Sequence, residues 1–158
     1  MKKSILLKGQ TILEVVIAAA LISVAIIAAL SLSNTTAKET TYSRDFNRAT
    51  QYNTEAVDWI RSMRDSLGWP SLVDTLTSDS PLSVVYCLDS LVTTTAEFIA
   101  LSNASCGAGE YIAGTIFIRE ITIDLTSAAT GEVGVSVTTS WTGNLPHSVS
   151  TETKINRW

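Results

Sequence analysis

Residues 8–32 read KGQTILEVVIAAALISVAIIAALSL, and this stretch decides how the chain is organised. From position 12 to position 32 the apolar run is interrupted by only three polar side chains, Glu14, Ser23 and Ser31. A helix of about 20 apolar residues crosses the hydrocarbon layer of a bilayer. Lysines at positions 2, 3 and 8 precede the run. The excess of positive charge on that side predicts a cytoplasmic leader and an exported remainder.

A cleaved secretory signal is a poor fit to this segment. The apolar core of such a signal covers about 7 to 15 residues and ends at a small-x-small cleavage site. Here the apolar run is longer, and no such site follows it before the polar sequence begins. The run therefore predicts a membrane helix that stays attached to the chain.

Glu14 is a carboxylate placed near the start of this apolar run. A charge at the centre of a membrane helix costs roughly 2.5 to 3.5 kcal/mol on insertion scales, so a buried Glu14 requires a cationic partner. We expect that partner to be an amine of another copy of the chain. The alternative is a carboxylate hydrated at the headgroup boundary, because only Ile12 and Leu13 separate it from the polar side.

The sequence KGQTILE at residues 8–14, followed by an Ala/Val/Ile/Leu helix, resembles the amino-terminal motif of type IV prepilins and pseudopilins. In that family a membrane aspartyl peptidase cuts directly after the glycine and methylates the new amino terminus. The resemblance implies cleavage between Gly9 and Gln10, methylation of Gln10, and Glu14 as the carboxylate that registers the subunit in a filament. An amino-terminal Gln can instead cyclise to a lactam, which would remove the amine that Glu14 is expected to meet.

Composition indicates one small domain in addition to the membrane helix. The chain has 158 residues, 46% of them hydrophobic, and a formal net charge of −4. An acidic chain with scattered charges offers no basic stripe for a phosphate backbone, so we predict no direct binding of nucleic acid.

The residues after the apolar run predict that the helix continues to about Leu67. No proline occurs between Ile12 and Leu67, and apolar side chains recur at intervals of three and four. These positions are Tyr42, Phe46, Ala49, Tyr52, Ala56, Ile60, Met63 and Leu67. Weak helix formers at 34–36 and 40–41 are expected to loosen the middle of the helix. Gly68, Trp69 and Pro70 are expected to stop it.

Beyond residue 80 the apolar pattern changes to period two, which predicts strands. The expected strands cover residues 82–88, 111–125, 132–142 and 149–155, with hairpin loops at 127–131 and 143–147. The fold class is therefore α+β, a long amino-terminal helix packed on a small antiparallel sheet, as in pilins. We divide the chain into a leader (1–9), a transmembrane or filament-core helix (10–33), the amphipathic half of the helix (34–68) and an exported sheet region (69–158).

Cys87 and Cys106 are the only cysteines, and both lie in the segment expected to be exported. A pair of cysteines in an oxidising compartment predicts a disulfide. Closing a loop of about 20 residues would stabilise the fold by roughly 3 kcal/mol. Two buried free thiols are the alternative. A metal site is not expected, because two cysteines and the distant His147 do not form a zinc-binding set.

No residue pattern nominates a catalytic site or a cofactor, so we predict that the protein is not an enzyme. The leading hypothesis is a minor pilin or pseudopilin, a structural subunit of a type IV pilus or of a type II secretion pseudopilus. Its expected partners are the prepilin peptidase and methyltransferase, other pilin subunits, the assembly platform, and membrane lipid before assembly. It would be a single-pass membrane protein that ends in a cell-surface or periplasmic filament.

Two other classes of function stay open. One is an exported binding domain with a single membrane anchor that does not polymerise. The other is a membrane-tethered hydrolase that uses His147 beside Ser148. The sequence does not separate roles in adhesion, motility, DNA uptake and secretion.

Overall fold

A computed structural model describes the backbone of residues 7–143 and 145–157 and the side chains of residues 12–143 and 145–157. The chain divides into two compact units, Met1–Arg44 and Asp45–Trp158. The elements, in chain order, are α1 (Leu7–Leu67), α2 (Trp69–Asp79), β1 (Ser83–Cys87), α3 (Thr95–Ile99), β2 (Phe117–Asp124), a 3-10 turn (Ala128–Thr130), β3 (Glu132–Thr142) and β4 (Pro146–Asn156). This confirms the predicted α+β class.

The threonine-rich middle of α1 is helical throughout, contrary to the expected loosening. Each threonine hydroxyl there donates a hydrogen bond to the carbonyl four residues earlier, as from Thr36 to Leu32 (3.0 Å) and from Thr40 to Thr36 (2.8 Å). These bonds satisfy the hydroxyls within the helix itself. Low intrinsic propensity at a few positions does not end a helix that is long on both sides.

The helix ends at Leu67, as predicted, but the role expected of Trp69-Pro70 was wrong. These residues begin α2 instead, with Pro70 in its first turn. Proline fits that position because the first amides of a helix have no helical acceptor to lose. Gly68 makes the break with φ 76° and ψ 154°, a conformation that is essentially restricted to glycine.

The four strands form one antiparallel sheet in the order β1-β2-β3-β4. β3 has the predicted bounds, and its inward residues are buried as expected: Val133, Val135, Val137, Thr139 and Trp141. The predicted strand 111–125 begins only at Phe117. Before it, the Ile112 amide bonds to the Phe117 carbonyl (2.8 Å), and Gly114 has a positive φ of 72°. Residues 111–116 therefore turn the chain rather than extend the strand.

The main core lies between the inner face of the sheet, the part of α1 after Asp45, and helices α2 and α3. Four of the predicted helix positions are buried there or in the smaller cluster beside Phe117: Ala49, Ala56, Ile60 and Met63. Tyr42 and Phe46, which were predicted on the same stripe, are 47% and 40% exposed. Full burial along the apolar stripe of α1 therefore begins at Ala49.

Asn53 is the main polar link between α1 and the sheet, and it is fully buried. Its amide nitrogen donates to the Val149 carbonyl (2.9 Å), and its oxygen accepts a hydrogen bond from the Thr139 hydroxyl (2.7 Å). Farther along, Arg64 donates to the Asn156 carbonyl (3.1 Å). These bonds fix the direction in which α1 runs along β4.

Candidate functional site

The amino-terminal half of α1 is the first candidate site, because it is apolar and uncovered. This helix is long and apolar enough to cross a membrane. Its large apolar side chains from Ile12 to Leu32 are between 52% and 69% exposed. An exposed apolar surface of this extent requires a cover of lipid or protein.

Two of the polar side chains in this stretch differ in character, since Ser23 is satisfied within the helix and Glu14 carries a charge. The Ser23 hydroxyl donates to the Ala19 carbonyl at 2.8 Å, so it presents no unmet donor to an apolar cover. Glu14 is exposed between Leu13 and Val15. Among the side chains described from Ile12 onward, none forms a hydrogen bond or ion pair with it. If lipid or apolar protein surrounded this helix, Glu14 would need a cationic partner that is not among the side chains described from Ile12 onward.

Gly9 and Gln10, the predicted cleavage residues, lie in the first turn of α1, which begins at Leu7. Their side chains are outside the described part of the chain, and so are residues 1–6 of the predicted leader. The predicted roles of these two residues in cleavage and methylation remain predictions.

Arg119 is a buried cation that the sequence reasoning missed. It takes an inward position on β2 with 2% exposure. Its guanidinium donates to the Leu88 and Tyr52 carbonyls (both 3.3 Å) and lies 3.6 Å from a Glu55 carboxylate oxygen. Burial lowers the pKa of Arg119, and the charge of Glu55 opposes that shift. The period of two could have revealed its inward position, since it falls between Phe117 and Ile121.

Arg119 therefore ties three parts of the fold together, α1, β2 and the segment after β1. Its partners are protein carbonyls and one half-exposed carboxylate. A guanidinium with all its contacts inside the fold has a structural role rather than a catalytic one.

The predicted disulfide between Cys87 and Cys106 is present. The loop it closes contains α3, whose Phe98 packs against Trp59 with ring centroids 5.6 Å apart. Trp59 also donates its indole N–H to the Val92 carbonyl (2.7 Å). Within the described residues the one group with metal-ligand spacing is Cys87, Cys106 and Glu110. Its two sulfurs are already bonded to each other, so the group does not fit a metal ion.

His147 lies in β4 rather than in the expected loop. Its ring packs against that of Trp141, with centroids 5.4 Å apart. An aromatic contact of this kind is ordinary cross-strand packing. It lends no support to the hydrolase alternative.

No family model, no curated protein and no solved structure matches this chain.

Proposed function

We propose that this chain is a pilin-like structural subunit that is processed after Gly9 and assembles through its amino-terminal helix. The observation that carries the proposal is the composition of α1. Its first half is an exposed apolar helix with one carboxylate, and the part after Asp45 is built into a small sheet domain. A chain with these two parts can enter a membrane or a helical bundle through its apolar helix and carry a folded domain with it.

In this proposal, Glu14 sets the register of assembly. Cleavage after Gly9 creates an amine at Gln10, four residues before the carboxylate. Opposite charges attract far more strongly in a poorly hydrated setting than in water. A subunit that enters the bundle is held most strongly where its Glu14 meets the amine of a neighbour.

The expected partners follow from the route of the subunit from the membrane to the filament. The precursor sits in the membrane with its leader in the cytoplasm, where the prepilin peptidase cuts and methylates it. The mature subunit then joins other pilin subunits at the assembly platform of a type IV pilus or a type II secretion pseudopilus. Membrane lipid covers the apolar helix before assembly, and the neighbouring helices cover it afterwards.

Replacement of Glu14 by alanine tests the register role. Glu14→Ala should leave membrane insertion and cleavage intact, because neither requires the carboxylate in this scheme. Incorporation into sheared surface filaments should fall by about tenfold or more, which corresponds to about 1.4 kcal/mol for the lost charge pair. Quantitative immunoblots of membrane and sheared fractions measure the distribution.

Glu39→Ala is the matched control, because Glu39 is an exposed carboxylate of the same helix beyond the apolar run. It should assemble like the unmodified protein. Normal incorporation of Glu14→Ala would refute the register role. Absence of the unmodified protein from every sheared fraction would favour the singly anchored binding domain.

A further inference from the structure

The two edges of the sheet are protected in different ways. Strand β4 carries charged residues and a proline, Glu152, Lys154 and Pro146, which are the usual defences of an exposed edge. Strand β1 reads Ser-Val-Val-Tyr-Cys and has neither a charge nor a proline. Such an uncharged strand with high β-propensity is the kind that pairs with other chains when its edge is open.

A loop segment covers the edge of β1 instead. At the middle of the strand, the Val85 amide donates to the Asn103 side-chain oxygen (2.9 Å). The Val85 carbonyl accepts a hydrogen bond from the Ala104 amide (2.8 Å). We call residues 102–105 the edge clip, because they satisfy both outward backbone groups of Val85.

The edge clip has no anchor of its own in the core, since all four of its residues are exposed. It is held at both ends. On one side Leu101 packs against the main core. On the other, Cys106 is bonded to Cys87, the last residue of β1. The disulfide therefore ties the clip to the strand that it covers.

We propose that the Cys87–Cys106 disulfide is a latch, and that its reduction releases the edge clip and opens β1 for pairing with β1 of a second copy. A dithiol reductant would supply two electrons and two protons. The sulfur–sulfur bond then breaks, both cysteines become thiols, and the reductant becomes a disulfide. Three hydrogen bonds then remain at the clip. Two join it to Val85, and one runs from the Cys106 amide to a Glu120 carboxylate oxygen (3.0 Å). Each bond of this kind contributes little to holding the clip.

The chemistry of β1 indicates which strand would pair with its opened edge. Antiparallel pairing about Val85 places it opposite Val85 of the second copy, a pair of β-branched residues that are only partly buried in the single chain. No charge would be brought to the new interface from either strand. Pairing with β4 would bring Glu152 and Lys154 against an uncharged edge. A symmetric contact between two β1 strands closes on itself and yields a dimer.

Hydrogen exchange of the full-length protein in detergent tests the latch. The double variant Cys87→Ser with Cys106→Ser represents the reduced state without thiol exchange. At a dilution where the variant is monomeric, its Val85 amide should exchange at least tenfold faster than in the oxidised protein. Pairing with a second copy at higher concentration would protect this amide again. The Leu88 amide is the internal control, because it donates to the Arg119 carbonyl of β2 (2.9 Å) and should stay protected.

Sedimentation of the same variants at higher concentration tests whether a second copy binds. The oxidised unmodified protein gives the baseline mass, which includes any association through α1. The double serine variant should shift to the mass of a dimer. A second variant, Asn103→Ala with Ala104→Pro, keeps the disulfide but removes both contacts to Val85. It should dimerise as well, and Ser105→Ala in the same loop should not.

Three results would overturn the proposal. Unchanged protection of Val85 in the diluted, monomeric double serine variant would show that the disulfide does not hold the clip. A baseline mass for both the double serine variant and the variant Asn103→Ala with Ala104→Pro would show that β1 does not bind a second copy. Open-ended oligomers would show that the contact is not the symmetric one between β1 strands.

Discussion

At the residue scale, the polar groups buried beneath α1 specify how the helix lies on the sheet. Asn53 and Arg119 are 0% and 2% exposed, and both direct their hydrogen bonds to groups on other elements. Apolar packing alone tolerates small shifts between two surfaces, whereas buried hydrogen bonds do not. Neither residue was identified from the sequence, because the period of a pattern does not reveal which distant carbonyl a side chain will meet.

Tyr86 makes the stability of the sheet domain sensitive to alkaline pH. Burial raises the pKa of Tyr86 above its usual value of about 10, and its hydrogen bond to Asp79 (2.7 Å) adds to the shift. The folded state therefore keeps the proton that the unfolded chain loses. This contribution to stability is complete below pH of about 10 and falls at higher pH by about 1.4 kcal/mol per pH unit.

Denaturant unfolding of the sheet domain in detergent, at pH 7 and above pH 10, measures this dependence. Tyr86→Phe should be less stable by about 1 kcal/mol at pH 7, because it lacks the hydrogen bond to Asp79. Its stability should decline less on the alkaline side, so the two curves converge. Tyr111→Phe is the control, since Tyr111 is 47% exposed and should follow the unmodified protein. Parallel curves for Tyr86→Phe and the unmodified protein would contradict the assignment.

At the element scale, sequence periodicity predicted strand bounds best where apolar and polar residues alternate without interruption. The bounds of β3 were correct because apolar and polar residues alternate along its whole length. The strand at 111–125 was predicted too long, because Tyr111, Ile112 and Ile116 look strand-like while Gly114 turns the backbone. Helix α2 was missed, because a proline after a glycine serves equally as a stop for one helix and as the first turn of the next.

Gly68 is the joint between α1 and α2, and its substitution should be costly. A side chain at φ 76° and ψ 154° is strained even though nothing lies within 4 Å of the added carbon. Gly68→Ala should therefore destabilise the sheet domain by about 1–3 kcal/mol, measured as a lower midpoint of unfolding. Gly143→Ala is the matched control, because it also has open space around it and no positive φ. Equal stability of the two variants would contradict the strain at Gly68.

At the scale of the whole molecule, one chain carries two units with opposite surface requirements. The unit Met1–Arg44 presents apolar side chains that need a cover, and the unit Asp45–Trp158 has its own core and a disulfide. The sequence predicted a membrane helix up to residue 33 and a folded sheet region from residue 69, but it did not predict a boundary at Arg44. It could not predict the edge clip, because a bond between Val85 and Asn103 depends on the tertiary path of an irregular loop.

The intact mass of the protein, taken from the native host's membrane and sheared surface fractions, tests the proposed function most directly. We predict the loss of residues 1–9, a methyl group on Gln10, and recovery of this mature form in the sheared filaments. A mature mass reduced by the loss of ammonia would show the cyclised amino terminus and remove the amine proposed for Glu14. A full-length mass confined to the membrane would contradict the filament proposal altogether.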